Sequence, residues 1–299
     1  MIEAINLTKR FEDIVAVDHI NAQIRDGSVF GLIGTNGAGK STFLRMAAGV
    51  LKPDDGTITI DGIEVFENEE AKQRFFYISD DQYFFSNSTP RDLMAYYQIV
   101  YPSFDKERFH GLMRSFDLDE NRKINTFSKG MKKQVSVICG ICAGTDYLFC
   151  DETFDGLDPV MRQAVKSIFA NDMQERHLTP IIASHNLREL EDICDHVGLL
   201  HKGGILLSRE LDEMKMNIHK VQCVLAEGME PESLTGMEII KTDRRGKLLT
   251  LTVRGDLNKV EHVMQTANPV FYETIPLSLE EIFISETEVV GYDIKKLIF

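Results

Sequence analysis

The chain has no run approaching the roughly 20 consecutive apolar residues that a membrane span requires. Its first residues, Met1-Ile2-Glu3-Ala4, carry neither the basic start nor the apolar segment of a secretory signal. It is therefore expected in the cytosol, or on a membrane face without crossing it. An excess of positive charge is missing too: 33 Lys and Arg stand against 47 Asp and Glu, a net charge of −14. General nucleic-acid binding relies on a basic footprint and is not expected. The acidity does not forbid a phosphate ligand, because backbone N–H groups and one lysine make a local anion site. An even set of cysteines is also lacking. Five thiols without a secretory signal read as reduced.

Cys139-Gly140-Ile141-Cys142 spells C-x-x-C, but no second cysteine or histidine pair completes a site. Met131, Val135, Ile138 and Cys142 instead fall on one apolar helix face. At 299 residues and 43% apolar, the chain suits one large or two ordinary domains with a real core.

What is there is an α/β pattern. Ile20, Ala22 and Ile24 alternate, Asp26-Gly27 turns, and Val29–Ile33 is a short apolar run suited to a buried strand. Residues 40–49 read as a helix with Phe43 and Ala47 on one face, Leu44 and Ala48 beside them, and Gly49 near its end. Thr57–Ile60 and Ile63–Val65 flank Asp61-Gly62, a hairpin signal. Residues 83–143 are expected to be mostly helical. Their first part holds Tyr83, Phe84, Phe85, Tyr96, Tyr97, Tyr101 and Phe104, readable as core or as an exposed groove for a partner. From residue 144 strands alternate with helices again: 147–150, 160–173, 180–184 and 186–195. Val197–Leu200 and Ile205–Leu207 then pair around Lys202-Gly203-Gly204. Such alternation argues for a mainly parallel sheet with helices on its faces. From about residue 215 a smaller unit follows, with strands at 221–225 and 248–253 and helices at 256–266 and 278–284.

The chemistry lies in short motifs in one order. Gly34-Thr35-Asn36-Gly37-Ala38-Gly39-Lys40-Ser41-Thr42 fits G-x-x-x-x-G-K-[ST] between a strand and a helix. Its glycines let backbone N–H groups point at phosphates, and the helix N-terminus adds a favourable dipole. Lys40 is a point charge for the β and γ phosphates, and Ser41 can ligate Mg²⁺. The run 147–150 ends in Asp151, a carboxylate suited to the same Mg²⁺, and Glu152 can polarise an attacking water as general base. Ser128 precedes a helix, a further anion site.

With Phe127-Ser128-Lys129-Gly130-Met131, followed by Lys132-Lys133-Gln134, residues 1–210 resemble the nucleotide-binding subunit of an ATP-binding-cassette transporter. The resemblance implies a P-loop NTPase cassette: a mainly parallel sheet, an antiparallel β subdomain and a helical subdomain at about 83–143. The cassette would span residues 1–214, with a small α+β accessory domain at 215–299. It implies ATP and Mg²⁺ as ligands, a second ATP-binding subunit, and an integral membrane permease as partners, on the cytoplasmic face of the membrane. Ser128 and Gly130 match the signature that contacts the γ-phosphate of ATP held by the other subunit. The Ser-Lys-Gly-Met form is similar to that of bacterial drug, peptide and lipid exporters. Phe11 matches the aromatic that stacks on adenine. Asp158, in Asp155-Gly156-Leu157-Asp158, matches the loop that communicates across the dimer. His185 matches the switch histidine at the γ-phosphate.

Two positions depart from the family pattern. Asp80 takes the place of the usual glutamine ligand to Mg²⁺ and water, with Gln82 two residues later; either could serve. Thr153 replaces the usual proline after the glutamate. Pro276–Phe283 resembles the ending of many exporter-type subunits. Two other readings stand beside transport: a soluble mechanoenzyme acting on ribosomes or nucleic acid, disfavoured by acidity and the single cassette, and a nucleotide-gated module that does not hydrolyse.

Overall fold

A computed structural model of the protein describes residues 1–213, 218–282 and 284. The chain divides into two compact units, Met1–Ser208 and Arg209–Phe299.

The first unit holds two sheets. The antiparallel one has the order β2-β1-β4-β5, from β1 (Ile2–Phe11), β2 (Ile14–Ile24), β4 (Asp55–Ile60) and β5 (Ile63–Glu64). Asp61 (φ 51°) and Gly62 (φ 79°) make the β4–β5 turn, both at positive φ as a type I′ hairpin turn requires. The other sheet has six strands in the order β10-β9-β3-β8-β7-β6. These are β3 (Phe30–Ile33), β6 (Phe75–Ile78), β7 (Tyr147–Asp151), β8 (Thr179–Ser184), β9 (His196–His201) and β10 (Gly204–Glu210). β3, β6, β7, β8 and β9 run parallel. β7 and β8 are buried along their full length, as strands covered on both faces must be. Phe30, Leu32, Phe43, Leu44, Phe149 and Ile181 share one core.

The helices are α1 (Lys40–Ala47), α2 (Glu69–Lys72), α3 (Pro90–Val100), α4 (Lys106–Ser115), α5 (Lys129–Cys142), α6 (Pro159–Arg176) and α7 (Leu187–Glu191). α3 starts with a capping box between Thr89 and Asp92 and Pro90 at the first helical position. α5 buries Val135, Ile138 and Cys142 as its periodicity requires. Cys139 and Cys142 are buried free thiols whose pKa values burial pushes up.

The aromatic segment divides. Phe104 is core, Tyr97 and Tyr101 pack their rings on Phe76 at 5.0 and 5.4 Å, and Tyr83 and Phe85 are exposed. The helix expected over 186–195 is shorter, Leu187–Glu191. The chain leaves it so that the Asp195 carboxylate can accept the Val29 N–H at 2.8 Å, and Cys194 packs against Gly31.

In the second unit the two strands expected are four, in the order β12-β13-β11-β14: β11 (Ile218–Val224), β12 (Glu238–Arg245), β13 (Leu248–Arg254) and β14 (Phe271–Ile275). All neighbouring pairs are antiparallel. The helix α8 (Leu257–Ala267) presents Val260 and Met264 to a core with Val221, Leu249, Leu251 and Val253. Ser278 and Glu281 cap each other's turn, and residues 279–282 are helical. Phe283, the last residue of the exporter-like ending, lies outside the described residues.

Candidate nucleotide site

The Gly34–Gly39 loop joins the end of β3 to the start of α1, so the helix N-terminus opens at the carboxyl edge of the sheet, with the Ala38 N–H donating to the Thr35 carbonyl at 3.0 Å. Two of its glycines are obligatory for packing. A Cβ on Gly34 would meet the Leu200 carbonyl oxygen at 2.5 Å, and one on Gly39 (φ 107°) would meet that of Ala16 at 2.3 Å. Lys40 is 5% exposed, and its ammonium donates to the carbonyls of Gly34 at 2.7 Å and Thr35 at 3.3 Å. Its third neighbour is Glu152 Oε1 at 3.4 Å.

Asp151 is the last residue of β7, paired in register with Ala183 of β8. It accepts from the Ser41 hydroxyl at 2.9 Å and the Tyr77 hydroxyl at 3.1 Å. Burial raises its pKa above the ordinary carboxylate value; the two hydrogen bonds oppose that and the Glu152 charge adds to it. Tyr77, half-buried beside this carboxylate, is pushed up to about 12, chiefly by desolvation. Ser41 and Asp151 offer only oxygen donors in a desolvated anionic place, the donor set that suits Mg²⁺. A cation there would relieve the cost that burial imposes on Asp151.

Glu152 turns the chain out of the sheet. Its φ of 46° is left-handed, which costs a residue with a Cβ about 1–2 kcal/mol. The strain aims its carboxylate at two cations or donors at once: Lys40 on Oε1 and His185 Nδ1, 2.8 Å from Oε2. His185 follows β8 directly, beside Ser184, whose hydroxyl is fixed by Glu189 at 3.1 Å.

Lys40, Ser41, Asp151, Glu152 and His185 are thus brought together, and Thr42 sits in the first turn of α1. Other residues singled out in the sequence lie apart from them. Ser128 caps α5, accepting from Met131 N at 3.2 Å, and its hydrogen bonds stay within that turn. A Cβ on Gly130 would lie 3.1 Å from the Gly156 carbonyl oxygen, so the signature turn abuts the Asp155–Asp158 loop. Asp158 caps α6 through the N–H groups of Val160 and Met161, both at 3.0 Å. Phe11 ends β1 with a half-exposed ring and Lys9 Nζ 5.6 Å from its centroid. Asp80 faces Lys133 at 3.3 Å, and Gln82 is half-buried with its Nε2 lacking a hydrogen-bond partner.

Two further participants carry no motif signal of their own. The parallel register of β6 and β7 pairs Tyr77 with Phe149, two residues from Asp151. Lys133 is buried, and its ammonium donates to the Glu152 main-chain oxygen at 2.5 Å. Its one sequence signal is a lysine four residues before Val137 on a helix face that is otherwise apolar.

Comparison with known proteins points to one family. A family model described as "ABC transporter" matches residues 17–155. The ABC transporter ATP-binding protein YtrB of Bacillus subtilis is 28% identical, over 96% of this chain and 98% of its own. The bacitracin transport ATP-binding protein BcrA of Bacillus licheniformis is 31% identical, over 74% of this chain and 73% of its own. Among solved structures, an ATP-binding subunit of an ABC transporter superposes with a TM-score of 0.66 at 25% identity, covering 72% of this chain and 92% of that one. A phosphate loop braced against a buried Asp-Glu pair, in a chain that aligns with the bacitracin subunit across most of its length, makes this protein a member of the ABC transporter ATP-binding family, a family of ATPases.

Proposed function

We propose that two copies of the chain close head-to-tail on two ATP molecules, and that hydrolysis reopens the pair to drive a separate membrane permease. One observation carries the reading. Lys40, Ser41, Asp151, Glu152 and His185 converge at the ends of β3, β7 and β8, while Ser128 opens α5 with bonds confined to its own turn. Each copy then holds phosphates and a base of its own, and keeps a second anion site for the ATP of another.

ATP phosphates would settle on the N–H groups of residues 34–39 and the first turn of α1. Lys40 would exchange the Gly34 and Thr35 carbonyls, and Glu152, for phosphate oxygens. Ser41 and Asp151 would hold Mg²⁺, which would supply positive charge against the developing charge of the reaction. Parted from Lys40, Glu152 would accept a proton from the attacking water, with His185 keeping its orientation. Ser128 and Gly130 of the second copy would close the γ-phosphate from the other side. Phe11 would stack on the adenine, and Asp158 would meet the second copy.

The permease is assigned to a groove of about 420 Å³ lined by Val50, Lys72, Phe76, Tyr77, Tyr97 and Tyr101 among others. An aromatic floor with a polar edge suits an amphipathic cytoplasmic helix. No helix among the described residues is long and apolar enough to cross a membrane, so the chain would work peripherally on the cytoplasmic face. Export is the favoured direction, from the Ser-Lys-Gly-Met signature and from a relative named for transport of bacitracin, an antibiotic.

Affinity purification of the tagged chain from gently solubilised membranes tests the assignment. A stoichiometric polytopic membrane protein supports it. Recovery of soluble partners or ribosomes would transfer the same ATPase to a different mechanical load.

A further inference from the structure

α5 carries one buried charge that the mechanism above leaves unused. Lys133 is 1% exposed, and its ammonium has two partners: the Glu152 main-chain oxygen at 2.5 Å and the Asp80 carboxylate at 3.3 Å. A buried ammonium is costly unless paired and hydrogen-bonded. Its two partners follow neighbouring parallel strands: Glu152 comes directly after β7, and Asp80 comes shortly after β6.

The Glu152 backbone calls for such support. Left-handed φ at a residue with a side chain persists only where the surroundings over-determine it. Glu152 N donates to Ala183 O at 3.0 Å across the sheet, and Asp155 N reaches Glu152 O at a long 3.3 Å within the turn. Lys133 adds the shortest bond to that carbonyl, from a helix outside both strand and turn. Without it the peptide can rotate toward ordinary φ, and a carboxylate now 2.8 Å from His185 would swing off its target.

We propose that Lys133 is a positioning residue for hydrolysis, holding the Glu152 peptide in its left-handed turn, and that Asp80 serves as its counter-ion rather than as a metal ligand. This rests on Glu152 being the general base. It also explains how the departure at position 80 is accommodated: the acidic residue is matched by a buried lysine on α5. The Asp80 side chain is half-exposed while Lys133 is enclosed, so the pair opens from the Asp80 side. That side leaves β6 just after Tyr77, which lines the groove assigned to the permease helix.

The test uses the full chain with Lys133→Met, Lys133→Gln, Asp80→Asn and the Asp80→Asn/Lys133→Met double variant. ATP affinity is read with a fluorescent ATP analogue, kcat by phosphate release, and Mg²⁺ dependence by titration. Lys133→Met should keep ATP affinity within about twofold while kcat falls about 10–100-fold, the scale of a misplaced catalytic group. Lys133→Gln, which keeps a donor, should recover part of that loss. Asp80→Asn should lower kcat without moving the Mg²⁺ half-saturation point, and should add nothing to Lys133→Met. A Lys133→Met protein with normal kcat, or one losing ATP affinity in step with kcat, overturns the positioning role. A shifted Mg²⁺ dependence in Asp80→Asn, or losses that multiply in the double variant, overturns the counter-ion role. If Lys133→Met does not fold, Lys133→Gln and the half-exposed Asp80→Asn decide the matter. Glu152→Gln run alongside separates the two readings: its full turnover would sink the base itself, whereas its inactivity beside a normal Lys133→Met sinks this proposal alone.

Discussion

His185 Nδ1 lies 2.8 Å from Glu152 Oε2, with Lys40 Nζ 3.4 Å from the other oxygen of the same carboxylate. The carboxylate proposed as general base is therefore engaged from two sides. Glu152→Gln keeps the shape and the hydrogen-bonding reach but cannot take a proton at neutral pH. Steady-state phosphate release should fall by about 10²–10⁴, the usual worth of a positioned base. ATP should still bind, and size-exclusion chromatography with ATP should show a persistent dimer. Turnover at the normal rate would remove Glu152 from its role.

Lys40 donates to two loop carbonyls and lies beside Glu152. Lys40→Ala deletes the one side-chain cation at the phosphate loop. Hydrogen bonds to charged groups contribute about 1.5–3 kcal/mol, so ATP affinity should drop at least about tenfold in an equilibrium titration. Unchanged affinity would refute the cradle.

The parts legible in the sequence are those whose signal is local. The phosphate loop, Asp151-Glu152, and the runs forming β3, β7 and β8 are short contiguous patterns tied to one conformation. β1 was not read because its register shifts between Ala4 and Leu7, where Asn6 takes φ 49°, and a bulge breaks the two-residue alternation. β12 and β14 were not read because they are the edges of their sheet, and edge strands carry polar residues on both faces. Asp80 and Lys133 lie 53 residues apart, and no spacing rule joins two residues across such a distance. The Tyr77–Asp151 bond escaped for the same reason, since strand order in a parallel sheet is not written in either strand.

Asp151 carries a stability cost with a defined pH sign. Its pKa is raised in the folded chain, chiefly by burial. Between the unfolded and folded values the native state binds more protons, so stability falls as pH rises through that window and the penalty is fully present above it. Asp151→Asn removes the charge while keeping the shape. The nucleotide-free variant should melt at a higher temperature than the wild type at pH 7, with a difference that shrinks on acidification. Its Mg²⁺-dependent hydrolysis should be lost. A lower melting temperature at pH 7 would contradict the assignment of burial as the dominant influence.

Asp172 ties the helical segment to the rest of its unit. It is fully buried and meets Arg108 of α4 through both guanidinium nitrogens, and Arg176 of its own helix at 2.9 and 3.0 Å. Arg176 also donates to the Thr145 carbonyl at 2.6 Å. Removing the shared carboxylate leaves two guanidinium groups without their partner. Asp172→Ala should cost about 3 kcal/mol, the scale for breaking a buried pair, read from urea unfolding. A loss below about 1 kcal/mol would class the network with ordinary surface pairs.

The groove beneath α3 makes the last prediction. Phe76 lies under Tyr97 and Tyr101, Tyr96 meets Tyr97 edge to face, and Phe85 meets Tyr96 the same way, so aromatic contacts run from the sheet to the surface. Val50 sits at the rim, 59% exposed. Because it is already in water, Val50→Asp should leave the fold intact; it follows the carboxyl end of α1, whose opposite end carries the phosphate loop. A charge placed against an apolar helix face has no partner there and must be desolvated on docking, which costs several kcal/mol without compensation. Copurification of the permease should therefore drop at least about tenfold, while nucleotide affinity of the isolated subunit stays at the wild-type value. Equal loss of both would mean that Val50 supports the cassette itself, and undiminished copurification would move the docking surface away from this groove.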